Sequence, residues 1–473
     1  MTAGRHPPLL PNWHVEAKDR AYREQGAYGP GLAVEKNSQN FLPKKIKRLI
    51  YCFMFPLNKF PLLVGLLAWA LLHPLKAQTS TWQNAAGGAF NHSPSWSDDV
   101  PGTNDWAWFS ANKASPEEDA SFTVTLDSNR SIKGILFDSG TKTALTLALA
   151  GYQLDLTSTD AGNPALGIGG GQALRFENGT VTAGQVRIGR ALGDDSRLEI
   201  GPNTTLTLQA ETRIANIAGA KGEMVLNGAG AKLTGLGSGI PLQIGFAGNG
   251  GLHLSNGANA DLSGDVNVAR SVGSVGLLDV SGLSTSFETT GSLRIGEAVS
   301  GTGGIGHAVF SSGAQGTAAR LLMAPGSTLE INGGSLVLAS PNTTKSVWRA
   351  DSEYRLHLNS PDAEPLKVDA LTITGVHLDL RLGPDFTGAI GDQYTLIHYT
   401  SGLTGHFVDG AGNFFDEGAS ISVGLYTFQL SYGGAGNPFA RVELTAVPEA
   451  STSLLFLAAA SAVASVAARR RRA

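Results

Sequence analysis

The central part of the chain repeats one phrase, in which an apolar pair, a small-residue loop, a short apolar strand and a turn follow each other. The copies begin at VRIGRALGDDSRLEIG, TRIANIAGAKGEMVLNG, LQIGFAGNGGLHLSNG, VNVARSVGSVGLLDVSG and LRIGEAVSGTGGIGHAVFSSG. Aligned on Ile188, Ile214, Ile244, Val268 and Ile295, the copies are 26, 30, 24 and 27 residues apart. A period of this length indicates stacked structural units.

Alternation within each copy predicts strands that bury one face. Leu252 and Leu254 occupy alternate positions in one copy, as do Leu278 and Val280 in the next, and Asn-Gly or Ser-Gly turns supply the positive φ that corners need. One unit cannot bury its apolar face alone, so we expect successive units to stack as coils around a shared core. The sequence therefore predicts an all-β fold, a right-handed parallel β-helix or solenoid over residues 121–339.

Two other repeat folds have comparable periods. Leucine-rich repeats need the pattern L-x-x-L-x-L-x-x-N, which is missing here, and no helical stripe follows each strand. A β-propeller needs longer blades than these copies supply. The solenoid is the fold that the pattern favours.

The segments on either side of the repeats differ from them in composition. Residues 78–120 concentrate Trp82, Trp96, Trp106 and Trp108, which predicts a cap on the open end of the solenoid; the alternative is a Trp platform that stacks on sugars. Residues 340–446 hold the strand groups VDALTITGVHLDLRL, GDQYTLIHYTSGLTGHF and YTFQLSYGGAGNPFARVELTAV. This pattern predicts a closing β module.

The N-terminal region contains an export signal. The apolar stretch FPLLVGLLAWALL is 13 residues long, short of the roughly 20 that span a bilayer. The small Ala77 is placed for cleavage by signal peptidase before Gln78, which predicts a signal peptide over residues 54–77. Since a start at Met54 gives a leader of ordinary length, residues 1–53 are interpreted as a spurious or disordered extension.

The C-terminal residues 447–473 have three parts in order. An apolar run, LLFLAAASAVASVAA, is predicted to form a transmembrane helix, which places hydrophobic helices at both ends of the chain. Clustered arginines after the run would hold its end on the cytoplasmic side, and a plain tail anchor is the simpler alternative. The proposed sorting motif is Val447, Pro448, Glu449, Ala450 and Ser451, and the membrane-orienting residues are Arg469, Arg470, Arg471 and Arg472.

This tripartite ending resembles the PEP-CTERM sorting signal, although Ala450 stands where that motif has its second proline. The resemblance implies handling by an exosortase-type membrane protease. The body and closing residues are similar to autotransporter-associated β-strand repeat proteins, through GDQYTLI, the TGHF strand and the final LTAVPE. That second resemblance implies architecture, since the biochemical roles of the family are poorly defined.

Charge and cysteine content narrow the function classes. Residues 78–447 contain 20 Lys and Arg against 34 Asp and Glu, a formal charge of −14. An acidic body repels phosphate backbones, which argues against nucleic-acid binding. The single cysteine, Cys52, precedes the cleavage site, so the exported part would contain no thiol and no disulfide.

The sequence predicts no catalytic, cofactor-binding or metal-binding residue. The repeat loops share no recurring carboxylate, so Asp194 and Asp195 are interpreted as a solvated loop, with a catalytic or cation site as the alternative. His398 and His406 are interpreted as sheet or loop histidines rather than a metal pair. The sequons at Asn178, Asn203 and Asn342 are interpreted as polar turns.

The predicted function is that of an exported structural or adhesion-type protein of the cell surface or extracellular matrix. Its partners would be exopolysaccharide or neighbouring copies, bound along a long side surface, and the membrane through the C-terminal helix. The alternative is a β-helical polysaccharide lyase or hydrolase exported by the same route. An autotransporter passenger is disfavoured, because the C-terminus lacks the series of amphipathic strands that an outer-membrane barrel requires.

Overall fold

A computed structural model describes residues 78–109, 120–137, 143–160, 162–235, 237, 239–298, 301–339, 345–384, 386–433 and 437–446. The structure over these residues is almost wholly β, with one short 3-10 turn at Ser93–Ser95. The predicted N-terminal extension, the terminal helices and the sorting tail lie outside the described residues. Within the described ranges, no helix is long and apolar enough to cross a membrane.

The strands, numbered in chain order, stack into three ladders that form the faces of a β-solenoid of about 11 turns. Face 1 contains β2 (Gly88–Ala89), β4 (Ala120–Thr125), β7 (Thr143–Ala148), β10 (Ala173–Glu177), β13 (Asp195–Ile200), β16 (Lys221–Asn227), β19 (Asn249–Ser255), β22 (Val275–Ser281), β26 (Ile305–Ser311), β28 (Thr328–Asn332), β31 (Glu353–Leu358), β33 (Val376–Leu382) and β35 (Phe407–Val408). All pairs within face 1 are parallel.

The other two faces share four long strands. Face 2 contains β5 (Arg130–Ile132), β8 (Gln153–Leu156), β11 (Gly179–Ala183), β14 (Thr204–Leu208), β17 (Lys232–Gly235), β20 (Asn259–Leu262) and β29 (Ser335–Leu338). Face 3 contains β1 (Thr79–Trp82), β3 (Trp106–Phe109), β6 (Gly134–Phe137), β9 (Leu166–Ile168), β12 (Val186–Ile188), β15 (Thr212–Ile214), β18 (Leu242–Ile244), β21 (Val266–Val268) and β30 (Ser346–Trp348). Both faces include parts of β23 (Ser286–Ile295), β27 (Gln315–Met323), β32 (Leu366–Thr372) and β34 (Gln393–Thr404).

The repeat alignment read from the sequence is confirmed in face 3. The register pairs Ile188 with Ile214, Ile214 with Ile244, Ile244 with Val268, and Val268 with Ile295. Unequal repeat lengths are absorbed between the faces, so the 30-residue unit has a longer loop between β17 and β18 than its neighbours have at that corner. The strands stay in register because the loops take up the difference.

The inward side chains form columns along the axis. Leu252, Leu254, Leu278 and Val280, which the alternation placed inside, are completely buried. One continuous apolar cluster runs from the first coils to the last strands. Each coil therefore completes its core with the coils above and below it, as expected for a solenoid.

Aromatic side chains fill the core of the first coils. Trp82 and Trp96 are only 3% and 4% exposed and meet edge to face, with ring centroids 5.0 Å apart. Their indole N–H groups donate to the carbonyls of Asn84 and Phe90, at 2.6 Å and 2.7 Å. Trp82, Trp96 and Trp106 are therefore buried in an aromatic cluster at the end of the solenoid, where a sugar could not stack on them, while Trp108 is half-buried.

Parallel pairing continues well beyond residue 340, through β31, β33 and β35. Antiparallel pairing begins with β36 (Ser420–Val423), β37 (Tyr426–Ser431) and β38 (Phe439–Ala446), and β38 also pairs antiparallel with β34. A small antiparallel hairpin, β24 (Glu297–Ala298) with β25 (Gly301–Thr302), projects between two coils. Residues 345–408 thus contribute parallel coil strands, and within the described C-terminal part β36 and β38 run opposite to them.

Corners carry residues with positive φ, as predicted for the turns. Asn178 and Asn203 have φ of 56° and 52°, which confirms that these two sequons are turns, while Asn342 lies outside the described residues. At the corner after face 3, Gly245 has φ 66°, and a Cβ there would lie 2.2 Å from the carbonyl oxygen of Val275. Only glycine fits that position without moving backbone.

Candidate functional site

The predicted processing residues lie at the edges of the described structure. Gln78 is its first residue, and its backbone N–H donates to Asp105 Oδ1 at 3.1 Å. Ala77, the sorting motif at residues 447–451 and the arginines at residues 469–472 lie outside the described residues. The cleavage and sorting assignments therefore stay predictions.

The densest charged cluster lies on the outer side of face 1, near its C-terminal end. Glu330, Arg355 and Asp379 are in-register neighbours on β28, β31 and β33. Arg355 Nη1 lies 3.1 Å from Glu330 Oε2, and its Nε lies 2.8 Å from Asp379 Oδ2. Its Nη2 also contacts Glu353 Oε1 at 2.8 Å. One guanidinium therefore binds three carboxylates on three adjacent strands.

Two histidines approach the same glutamate. His357 Nε2 lies 3.1 Å from Glu330 Oε1, and His307 Nε2 lies 3.3 Å from Glu330 Oε2. Burial tends to raise the pKa of Glu330, but the hydrogen bond and charge of Arg355 outweigh it and hold that pKa below its usual range. Burial lowers the pKa of His307, against the opposing effect of Glu330.

This arrangement limits the chemistry of the face 1 cluster. General acid catalysis by a carboxyl group requires a pKa raised toward neutrality. Burial favours that direction at Asp379, yet hydrogen bonds from Arg355 and Arg381 keep its pKa low. Both Glu330 and Asp379 are held as anions bound to arginine, which suits strand-to-strand ion pairing better than proton transfer.

A shallow groove of about 380 Å³ borders this cluster. Asp351, Glu353, His377 and Asp379 contribute its polar lining. His377 Nδ1 lies 2.8 Å from the carbonyl oxygen of Asp409, and its Nε2 is 3.7 Å from Asp351 Oδ1. In the part of the chain that the structure describes, no three His, Cys, Asp or Glu side chains form a group that could hold a metal ion.

A second polar surface lies on the outer side of face 3. Its central column, which we call the arginine strip, contains the in-register residues Arg187, Arg213, Gln243, Asn267 and Arg294. Each is the middle residue of a three-residue rung whose other two side chains point inward. The strip crosses five adjacent strands.

Neighbouring carboxylates neutralise only some of the arginine charges in the arginine strip. Arg213 Nη2 lies 2.6 Å from Glu211 Oε2, and Arg294 Nε lies 3.4 Å from Asp265 Oδ2. Arg187 Nε is buried and has no hydrogen-bond partner among the described protein atoms. Burial and the neighbouring charge of Arg213 hold the pKa of Arg187 below its usual range.

The strip also contains buried amides and an aromatic ring at its margin. Gln243 is completely buried and Asn267 is 3% exposed, although both occupy outward strand positions. Gln243 Nε2 donates to Glu211, whereas Gln243 Oε1 and Asn267 Oδ1 have no partner among the described protein atoms. The Arg213 guanidinium carbon lies 4.1 Å from the centre of the Phe246 ring.

The interpretation of Asp194 as a solvated loop acid is wrong. Its side chain is only 5% exposed, and its oxygens accept the backbone N–H groups of Gly170 at 2.7 Å and Ala191 at 2.6 Å. Asp195 is exposed at the start of β13. Asp194 was misjudged because its partners include a loop one coil away, which the local sequence does not reveal.

The two histidines of the closing segment have separate environments. The His398 ring packs on Phe439 with centroids 4.4 Å apart, and its Nδ1 lies 3.3 Å from Glu364 Oε1. His406 packs against Tyr432, with centroids 4.9 Å apart. Their contacts agree with the interpretation as sheet and loop histidines.

Neither the face 1 cluster nor the arginine strip was predicted from the sequence, for the same reason. Their in-register neighbours are 24 to 30 residues apart, and only the register between coils brings them together. The available signal was the alternation in EYRLHL and VHLDLRL, which places Arg355 and Asp379 outward. Comparisons of this chain with family models, curated proteins and solved structures gave no match.

Proposed function

We propose that the chain is an exported structural or adhesion-type protein of the cell surface or extracellular matrix, sorted through its PEP-CTERM-like tail. The observation that carries the proposal is the β-solenoid of about 11 turns, whose stacked coils give a long side surface with repeated polar positions. A rod of this kind suits many weak contacts made in parallel along a polymer or a neighbouring copy. A right-handed winding and hydrophobic helices at both ends belong to the same proposal.

The predicted signal peptide and sorting tail supply the export route. Signal peptidase would cut after Ala77 and release Gln78 as the new N-terminus, whose amine would lie beside Asp105. The C-terminal helix would hold the protein at the membrane until an exosortase-type protease acts near Pro448. Exopolysaccharide or neighbouring copies would then be the extracellular partners.

Mass spectrometry of both termini of the extracellular protein tests this proposal. The expected form begins at Gln78 and lacks residues 469–472. A Pro448→Ala/Glu449→Gln variant should accumulate in the membrane fraction, while Pro384→Ala, at an exposed loop position, should be released normally. An extracellular form with Arg469 to Arg472 intact contradicts sorting by cleavage.

The face 1 cluster is the observation that favours the alternative, a polysaccharide lyase or hydrolase. Its carboxylates Glu330 and Asp379 flank Arg355 beside an open groove. Incubation of the exported protein with acidic and neutral polysaccharides should release no oligosaccharides. Turnover that Glu330→Gln or Asp379→Asn abolishes would replace the structural proposal with the enzymatic one.

A further inference from the structure

The arginine strip has a regular spacing along the solenoid axis. Adjacent strands of a sheet are about 4.8 Å apart, so its five residues extend over roughly 19 Å. Because successive positions are paired in register, the side chains leave neighbouring rungs side by side. The strip is long enough to contact several consecutive residues of an extended polymer.

Positive charge is concentrated at one end of the strip. Arg187 and Arg213 are paired directly, an arrangement of like charges that ordinarily destabilises a sheet. A third cation, Arg190, lies across Gly167, the residue that precedes Arg187 in the same column. A Cβ at position 167 would lie 2.7 Å from Arg190 Nη1, so the glycine leaves room for this guanidinium.

The carboxylates near these cations do not neutralise all of them. Glu211 contacts Arg213 at 2.6 Å and approaches Arg270 Nη1 at 3.9 Å. Asp194 is engaged by backbone N–H groups, although its charge still acts on Arg190. The charges of Glu211 and Asp160 act on Arg187 but neither carboxylate forms an ion pair with it within the described structure, and a bound anion would relieve its repulsion with Arg213.

Two buried amide oxygens next to these cations have no hydrogen-bond partner. Gln243 Oε1 and Asn267 Oδ1 are buried without a partner among the described protein atoms, a situation that costs about 1–3 kcal/mol for each group. Because neither oxygen is accessible at the surface, a ligand lying on the strip does not reach them. The guanidinium groups of Arg213 and Arg270 lie over the ring of Phe246, at 4.1 Å and 5.7 Å from its centre, so a third arginine adds positive charge beside the strip.

We propose that the arginine strip binds an acidic polysaccharide, a polymer that carries carboxylate or sulfate groups together with free hydroxyls, aligned along the solenoid axis. The anionic groups bind Arg187, Arg190 and Arg213. This inference rests on the proposed function and names its partner. The body carries a formal charge of −14, so binding is local to the strip and weakens with added salt.

Retention of the exported full-length protein on immobilised polymers tests the inference. Polygalacturonate and dextran sulfate distinguish carboxylate from sulfate, neutral dextran lacks the anion, and polyphosphate lacks the sugar. Retention is expected on one or both acidic polysaccharides and is expected to fall with salt. Absence of retention on both at low salt overturns the inference, as does equal retention on polyphosphate.

Variants locate the binding surface. Arg187→Gln/Arg213→Gln should weaken binding at least about 10-fold, the equivalent of one charge-assisted hydrogen bond. Arg197→Gln removes a half-exposed arginine from face 1 and should change affinity less than about 2-fold, on the scale of an exposed ion pair. The single variant Arg187→Gln serves as the second test if the double variant unfolds. Equal losses in the face 1 control and the strip variants contradict the assignment.

Failure of this inference can be separated from failure of the proposed function. A protein that is cut at both termini and reaches the cell surface, but binds no acidic polysaccharide, overturns the inference alone. A purified protein that binds the polymer through Arg187 and Arg213, yet keeps its tail arginines outside the cell, overturns sorting alone.

Discussion

Arg187 and Arg213 are directly paired on adjacent strands of face 3, with both side chains on the outer side of the solenoid. The Nε atoms of both arginines are buried without a hydrogen-bond partner in the described structure, but Arg213 Nη2 lies 2.6 Å from Glu211 Oε2. The pKa of Arg187 is lowered by burial and by the charge of Arg213. The pair is therefore an electrostatic conflict that the fold tolerates.

Removal of the positive charge of Arg187 should not lower the free energy of unfolding. We expect Arg187→Gln to leave the free energy of unfolding unchanged or to raise it by up to about 0.5 kcal/mol, because like charges on opposed sheet positions repel. Arg213→Gln should lower it by about 0.5–1 kcal/mol, because Glu211 loses its closest cation. Urea unfolding of both variants measures the difference, and a loss above about 1 kcal/mol in Arg187→Gln would show that Arg187 stabilises the fold.

Two glycines of similar backbone conformation should respond differently to alanine. Gly245→Ala would place a Cβ 2.2 Å from the Val275 carbonyl oxygen, so we expect a loss of more than about 3 kcal/mol. Gly273 has φ 80° but nothing within 4 Å of the added Cβ, so Gly273→Ala should cost only about 1–2 kcal/mol of conformational strain. Equal midpoints in thermal denaturation would mean that the coils separate freely at Gly245.

Alanine substitutions of the adjacent residues Asp194 and Asp195 should also differ in their effect on stability. Asp194→Ala leaves the N–H groups of Gly170 and Ala191 without their acceptor, which we expect to cost about 1–3 kcal/mol. Asp195→Ala removes an exposed carboxylate and should stay within about 0.5 kcal/mol of the parent protein. Chemical denaturation of both variants measures the two losses of unfolding free energy. Similar losses would contradict a structural role for the buried Asp194 carboxylate.

The outer cluster of face 1 should make stability depend on pH. Burial lowers the pKa of His307. As the pH falls, His307 is therefore protonated in the unfolded chain before it is protonated in the folded protein. The stability that neutral His307 contributes is complete above pH 6.5 or so, and it declines as the pH falls toward the folded pKa. The stability difference between the parent and His307→Gln should shrink with acid, by at most about 1.4 kcal/mol per pH unit. Denaturation curves between pH 5 and pH 8 test this, and a constant difference would contradict it.

Local alternation was sufficient to predict the coils and their inward side chains. Leu252 and Leu278 belong to different copies, yet each copy shows by itself which face is apolar. The repeat phrase also fixed the stacking of Ile188 on Ile214, because the same positions recur in every copy. Where the phrase faded after residue 340, strand alternation continued, and the structure continues the parallel coils there.

Relations between coils could not be predicted from local pattern. Glu330 and Arg355 are 25 residues apart, and their contact depends on the lengths of every intervening loop. The same limit applies to Asp194, whose bond to Gly170 crosses from one coil to the next. Outer polar positions are visible in a sequence, but their neighbours become known only once the register is known.

The antiparallel strand β38 fixes where the rod stops. Val442 of this strand pairs with Tyr394 of β34, and β37 pairs with the other side of β38, so β38 is covered on both sides and β36 is the outermost strand here. A strand of another molecule cannot pair with β34 along Gln393–His398, because β38 already occupies that side. The chain's own C-terminal strands therefore block head-to-tail stacking on this part of the last coil.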